Sequence, residues 1–210
     1  MAILSFEAGY EKLNKIVPFA KFEIVREFDE VWAAAHKIGF PVVLKLLSEK
    51  IVHKTEAGAI AFASNLDELE EAFKKLSLLA KKFKTALKIL VQEKIKGLEL
   101  AIGIKRDQTF GPAIMFGIGG IAIELLKDVS FRICPIVEKD VEEMIDELKT
   151  KALLFGFRGA KPINLELIKK ILIQLSLWAL KQEEVLELDI NPLIVNETAK
   201  AVDVRMVLKD

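Results

Sequence analysis

FPVVLKLLSEKIVHKTEAGAI, residues 40–60, decides how the chain is read. Pro41 opens a short apolar run whose length and branching predict a buried strand. Lys45 then stands where an apolar residue is expected, and a buried ammonium is costly unless it meets an anion. His53, Lys54, Thr55, Glu56 and Gly58 follow in a polar stretch. A strand that ends in a lysine and opens into a loop with a histidine and a second lysine is a candidate phosphate site. The competing reading is a strand end whose lysine snorkels to water above a solvated loop.

Composition narrows the classes. A chain of 210 residues has ample length for a core. Its 52% hydrophobic and 30% charged residues predict a globular chain rather than a disordered one. The 31 basic and 31 acidic side chains cancel, so the basic excess of a nucleic-acid-binding domain is missing. The single cysteine, Cys134, cannot form an internal disulfide. No signal-peptide pattern is visible, and the apolar runs are too short to span a bilayer. These features lead us to expect a cytoplasmic protein without membrane or nucleic-acid partners.

Working outward, residues 5–16 predict a helix with Ser5 as N-cap, ended by Pro18. Residues 21–25 predict a strand and 27–38 an amphipathic helix closed by Gly39. His36, on that helix, is expected to be structural. Beyond the opening stretch, residues 58–63 predict a strand, and Asn65 caps a long helix over 66–83. Further strands are expected at 88–92, 98–105 and 113–116, helices at 138–150 and 165–181, and strands at 185–190 and 201–204. The mixture predicts two α/β lobes with a cleft between them.

Three further segments bear on chemistry. The glycines of FGIGG, at 117, 119 and 120, fit neither a Walker loop nor a dinucleotide fingerprint. They can let backbone N–H groups approach a phosphate, or simply form a tight turn. In LELDIN, Glu187, Asp189 and Asn191 fall at period two and so share one strand face, a start for a hard cation such as Mg²⁺. A solvent-facing antiparallel strand alternates in the same way. If the chain turns back near Glu197, Asn191 lies opposite Asp203 and Asp189 opposite Arg205, with Pro192 interrupting the ladder. Finally, Gln92 and Glu93 end an apolar strand that can offer backbone groups to an adenine edge and a carboxylate to a ribose, a role Glu99 can also take.

Together these pieces resemble an ATP-grasp domain. More narrowly, they resemble the nucleotide-binding β subunit of the ADP-forming acyl-CoA (acetyl-CoA) synthetases, relatives of succinyl-CoA synthetase. The blocks that carry the resemblance are residues 39–60, 90–136, GFRGAKP at 156–162 and ELDINPLIV at 187–195. It implies a mixed α/β ATP-grasp fold over 1–210. The smaller lobe would span about residues 19–93 and the larger about 94–210 with the N-terminal helix, and nucleotide would sit in the cleft.

By position, the resemblance makes Lys45 the phosphate-holding lysine, Gln92 and Glu93 the adenine hinge, and Glu99 the nearby nucleotide-binding acid. Asn191 and Asp203, with Asp189 beside them, match metal-binding positions, and His53 matches a phosphoryl-accepting histidine. Lys54, Gly119 and Gly120 are expected at the phosphates, with Glu56 orienting the imidazole and Arg132 as a further cation. The chain departs from the family in reading Thr55-Glu56-Ala57-Gly58-Ala59 after His-Lys, and Lys15-Ile16-Val17-Pro18 where the first helix ends.

The implied cofactors are ATP or ADP and Mg²⁺. The implied partner is a CoA-binding α subunit in an α2β2-like hetero-oligomer, because no CoA-binding Rossmann unit is found in the chain. Rival readings are a stand-alone ATP-grasp carboxylate ligase, a non-catalytic nucleotide-sensing subunit, and a generic carboxylate-binding module.

Overall fold

Period-two strands and amphipathic helices sort the chain into two units, Ala20–Ile95 and Met1–Phe19 with Lys96–Asp210. The computed structural model describes residues 2–51, 54–120, 123 and 126–209.

In the first unit, β2 (Phe22–Val25), β3 (Val42–Leu46), β4 (Ile60–Ala63) and β5 (Ile89–Glu93) form an antiparallel sheet in the order β2-β5-β3-β4. Helices α2 (Phe28–Ile38) and α3 (Leu66–Lys82) supply Val31, Ala35, Leu69 and Leu76 to a core shared with Val42, Leu44 and Val91. Strand alternation therefore turns Val43, Lys45, Leu90 and Gln92 to the opposite face. Both helix starts use side chains for the orphan N–H groups of a first turn. Asn65 accepts from Glu68 N–H at 3.0 Å, and Glu30 reaches back to Arg26 N–H at 2.8 Å and Glu27 N–H at 3.2 Å.

The second unit is built on a larger antiparallel sheet. Its strands are β1 (Ala2–Ile3), β6 (Leu98–Asp107), β7 (Gly111–Ile118), β8 (Val129–Ile133), β9 (Val185–Val195), β10 (Ala199–Ala201) and β11 (Arg205–Leu208). The order is β1-β11-β9-β6-β7-β8, and β10 also pairs with β9. Helix α4 (Glu138–Glu147) packs on β8 and α5 (Leu165–Lys181) on β7. They cover a core face carrying Ile102, Ile104, Ile114, Phe116 and Leu188. Helix α1 (Phe6–Leu13) lies against β11 and starts at Ser5, whose hydroxyl accepts from Ala8 N–H at 3.3 Å. Among the described residues, no helix is long and apolar enough to cross a membrane.

Several expectations change in detail. Of the strand expected over 201–204, Ala201 ends β10 and residues 202–204 form the gap before β11. The register holds across that gap: Ala201 faces Leu193, Arg205 faces Asp189, and Val202 N–H donates to Pro192 C=O at 3.1 Å. Pro192 does not end β9. Its missing donor coincides with a register shift against β6 between Leu100 and Ile102, so the ladder absorbs it as an irregularity. Strand β8 is new. Its Arg132 bonds Glu147 at 2.7 Å and Glu143 at 3.5 Å on α4, which removes it from the cations expected at the phosphates.

Candidate functional site

In the first unit, Lys45 and Gln92 lie on adjacent strands on the face away from the helices, because Lys45 pairs with Leu90 and Val43 with Gln92. Lys45 is 6% exposed and Gln92 fully buried. Among the described residues, the amide of Gln92 has no hydrogen-bond partner for either its oxygen or its nitrogen, and such orphaned pairs are rare in native folds. One face thus holds a buried cation diagonal to a buried donor–acceptor pair, a set that fits the phosphate and base of a nucleotide. Glu93 is only partly available. Its carboxylate accepts from Lys21 N–H at 2.7 Å, and its own N–H donates to Lys21 C=O at 3.0 Å, so it ties the entry of β2 to the end of β5.

Lys54 and exposed Glu56 sit in the tight turn before β4, where Ala59 N–H donates to Lys54 C=O at 2.8 Å. His53 lies outside the described residues.

In the second unit, Glu99 meets the glycine turn. Gly119 N–H donates to Glu99 C=O at 2.7 Å, and Gly120 has φ +61°. A Cβ at Gly120 would stand 2.9 Å from the Glu99 carboxylate, so glycine serves both the left-handed backbone and the acid's approach.

Asp189, Asn191 and Asp203 come together on the sheet face opposite the helices. Asp189 and Asn191 are exposed, while Leu188, Ile190 and Met206 between them are buried. The register of β9 against β10 and β11 sets Asp203 across from Asn191. The protein crowding around Asp189 raises its carboxyl pKa despite its open surface, the Asp203 charge adds to the rise, and Arg205 opposes it. Two carboxylates that repel each other beside an amide oxygen form an all-oxygen donor set, which fits a hard divalent cation that keeps several water or phosphate ligands. Among the described residues no cluster of three or more His, Cys, Asp or Glu could hold a metal, so this pair is the acidic part of the set.

Comparison with known proteins identifies the family. A family model described as an ATP-grasp domain matches residues 14–208, and the chain belongs to the ATP-grasp family. It is 40% identical over 198 residues to the β subunit of acetate–CoA ligase [ADP-forming] I of Pyrococcus furiosus, covering 91% of this chain and 85% of that one. It is 42% identical over 197 residues to acetate–CoA ligase [ADP-forming] I of Archaeoglobus fulgidus, but spans only 29% of that longer protein. Within the family the chain stands among these ADP-forming acetate–CoA ligase β subunits. A solved acetyl-coenzyme A synthetase 1 of Ca. Korarchaeum cryptofilum, in complex with coenzyme A, Ca-AMPCP and HgCl+, superposes with a TM-score of 0.91. It is 36% identical, over 99% of this chain and 93% of that one.

Arg205 was legible only as a register partner. Its place across the ladder from Asp189 is what the sequence shows only through the register.

Proposed function

We propose that this chain is the nucleotide-binding β subunit of an ADP-forming acyl-CoA synthetase acting in the cytoplasm with a CoA-binding α subunit. The observation that carries this reading is its match to a β subunit over 85% of that subunit, against 29% of the longer ligase. The complex converts acyl-CoA, phosphate and ADP reversibly to acid, CoA and ATP.

The partner forms an acyl phosphate and captures the phosphoryl group on its own histidine. His53 takes the group next, as a neutral imidazole nucleophile, and passes it to the terminal oxygen of ADP. Lys45 holds the nucleotide phosphates, Lys54 adds charge, and Glu56 orients the imidazole. Gln92 and the strand end at Glu93 meet the base, Glu99 the ribose, and the backbone of Gly119 and Gly120 lines the phosphate path, with the Gly119 N–H itself held by Glu99 C=O. Asp189, Asn191 and Asp203 would hold Mg²⁺, which when bound supplies positive charge to the transferring group. The buried Lys45 and the orphaned Gln92 amide support the nucleotide role, and the paired carboxylates support the metal role.

The test is transfer of label. The complex incubated with labelled ATP and Mg²⁺ should carry acid-labile, base-stable phosphate on this subunit, and His53→Ala should lose both label and acyl-CoA-dependent ATP synthesis while still binding nucleotide. Label that persists in that variant would replace the relay with direct transfer from the partner's histidine to ADP. Failure of a CoA-binding partner to co-purify would favour a stand-alone carboxylate ligase.

A further inference from the structure

One row of residues crosses the open face of the larger sheet. Arg205 pairs with Asp189, Asp189 with Gly103, Gly103 with Met115, and Met115 with Phe131. Paired residues point to the same side of a sheet, so these side chains share the face opposite α4 and α5. Arg205 is exposed, and the residues on either side of it, Val204 and Met206, are buried. Its Cα lies about 5 Å from that of Asp189 across the ladder, and Asp203 stands two residues before it in the chain.

The other cations on the strands of this sheet are engaged. Lys105 pairs with Glu187 at 3.7 Å. Arg106 donates to the carbonyls of Ala179 at 2.6 Å, Val185 at 3.0 Å and Gln182 at 3.0 Å, where α5 ends and β9 begins. Arg132 is held by Glu147 and Glu143 of α4. Lys200 has an interaction of its own. Among the described residues, the Arg205 guanidinium forms no hydrogen bond or ion pair within the protein, although it stands across the ladder from Asp189.

From this geometry we infer that Arg205 is a phosphoryl-positioning residue, which binds the terminal phosphoryl group of the nucleotide alongside the Asp189–Asp203 pair. The inference rests on the nucleotide and metal reading above. The charges give its logic. Without metal, Arg205 partly neutralises two carboxylates that repel each other. A divalent cation taken up by that pair cancels their charge and leaves the guanidinium unneutralised on the same face. A planar fork of N–H donors suits two oxygens of a tetrahedral phosphoryl group, and unlike an ammonium it can hold both at once. Arg205 then adds positive charge where the terminal oxygens of ATP lie, and adds little for ADP, which lacks them. That makes it a residue for recognising and orienting the group in transit rather than for holding the nucleotide as a whole.

The experiment is calorimetric titration of the full chain with Mg·ADP, with Mg·AMPPCP, whose terminal phosphoryl cannot transfer, and with Mg²⁺ alone. It is run on wild type, Arg205→Gln and Arg205→Lys. Loss of a charge-assisted bond should weaken Mg·AMPPCP about tenfold or more in Arg205→Gln. Mg·ADP should change by less than about twofold and Lys should restore part of the loss, because the charge returns without the fork. Mg²⁺ alone should bind Arg205→Gln more tightly, since a repelling charge has gone. Equal loss for both nucleotides, or tighter Mg²⁺ with unchanged AMPPCP affinity, would overturn the inference and leave Arg205 a neutraliser of Asp189. Wild type that binds neither nucleotide would overturn the nucleotide reading itself and this inference with it.

Discussion

The two sheets present their functional faces in opposite ways. In the four-stranded sheet, the polar groups on the face away from the helices are buried: Lys45 is 6% exposed and Gln92 not at all. In the larger sheet, Asp189, Asn191 and Arg205 stand exposed on the corresponding face, and the charges of Asp203 and Arg205 act on Asp189. A buried polar group is fixed by shape and by the atoms that touch it, and screening by salt reaches it weakly. An exposed charge row is tuned by pH, salt and bound ions. The difference teaches that the first face should respond to substitution through contact and the second through charge.

The largest expected effect breaks or upholds the first half of that contrast. Lys45→Ala should weaken ADP or ATP binding roughly 10- to 100-fold, the loss of one charge-assisted contact. Lys45→Met, which keeps the apolar stem, should lose as much affinity while melting close to wild type. Calorimetry at low and high salt should give nearly the same ratio of wild type to variant. A ratio that collapses in high salt would return Lys45 to the exposed, screened class.

The second half is tested at Asp189. Crowding and the Asp203 charge raise its folded pKa, so the folded chain holds the proton more tightly than the unfolded one. Its ionisation therefore destabilises the fold as pH rises from the ordinary value of 3.8 through the raised folded one. Asp189→Asn should raise the melting temperature without metal, with a gain that grows from pH 4 to pH 7. The same variant should need more Mg²⁺ for half-maximal nucleotide binding, as should Asp203→Asn and Asn191→Ala. A gain independent of pH would mean the carboxylates do not oppose each other.

Arg132 separates a structural cation from a ligand-binding one. Hydrogen bonds from Arg132 and then Ser130 hold the Glu147 carboxyl down at about 2. A depressed carboxyl contributes stability above its ordinary value of 4.5, and that contribution is lost as pH falls toward about 2. Arg132→Gln should therefore lower stability at neutral pH, flatten the acid limb of the melting curve, and leave nucleotide affinity unchanged. Lost affinity with an unchanged acid limb would restore it to the phosphate site.

Much of this was legible because local periodicity and tertiary burial agree. The helix over 165–181 was read to the residue, and Asn65 was placed as the cap it is. The face shared by Asp189 and Asn191 followed from period two alone. What was missed depends on contacts far along the chain. Strand β8 is not among the elements expected from the sequence, where Asp128 just before it and Arg132 within it are polar. Yet Asp128 is buried as the acceptor for Lys149 and Thr150 N–H at 2.9 and 2.8 Å, and Arg132 is matched by acids 11 and 15 residues on. No local pattern announces such partners. The hydrogen bond that the Glu93 carboxylate accepts from a backbone N–H 72 residues away is hidden from the sequence for the same reason.

The smallest effect calibrates the rest. Asn65 touches neither functional face. It caps α3, which covers the core side of the four-stranded sheet, and accepts the Glu68 N–H at 3.0 Å. Asn65→Ala should cost about 1 kcal/mol, a fall of roughly 2–4 °C in melting temperature for a chain of this size. Nucleotide affinity and its Mg²⁺ dependence should stay at wild-type values. If Asn65→Ala also weakens nucleotide binding, Lys45 and Gln92 are sensitive to general loosening of their sheet, and the Lys45 result has to be measured against that baseline. If it changes stability alone, the buried face is rigid enough for the Lys45 loss to be read as a lost contact.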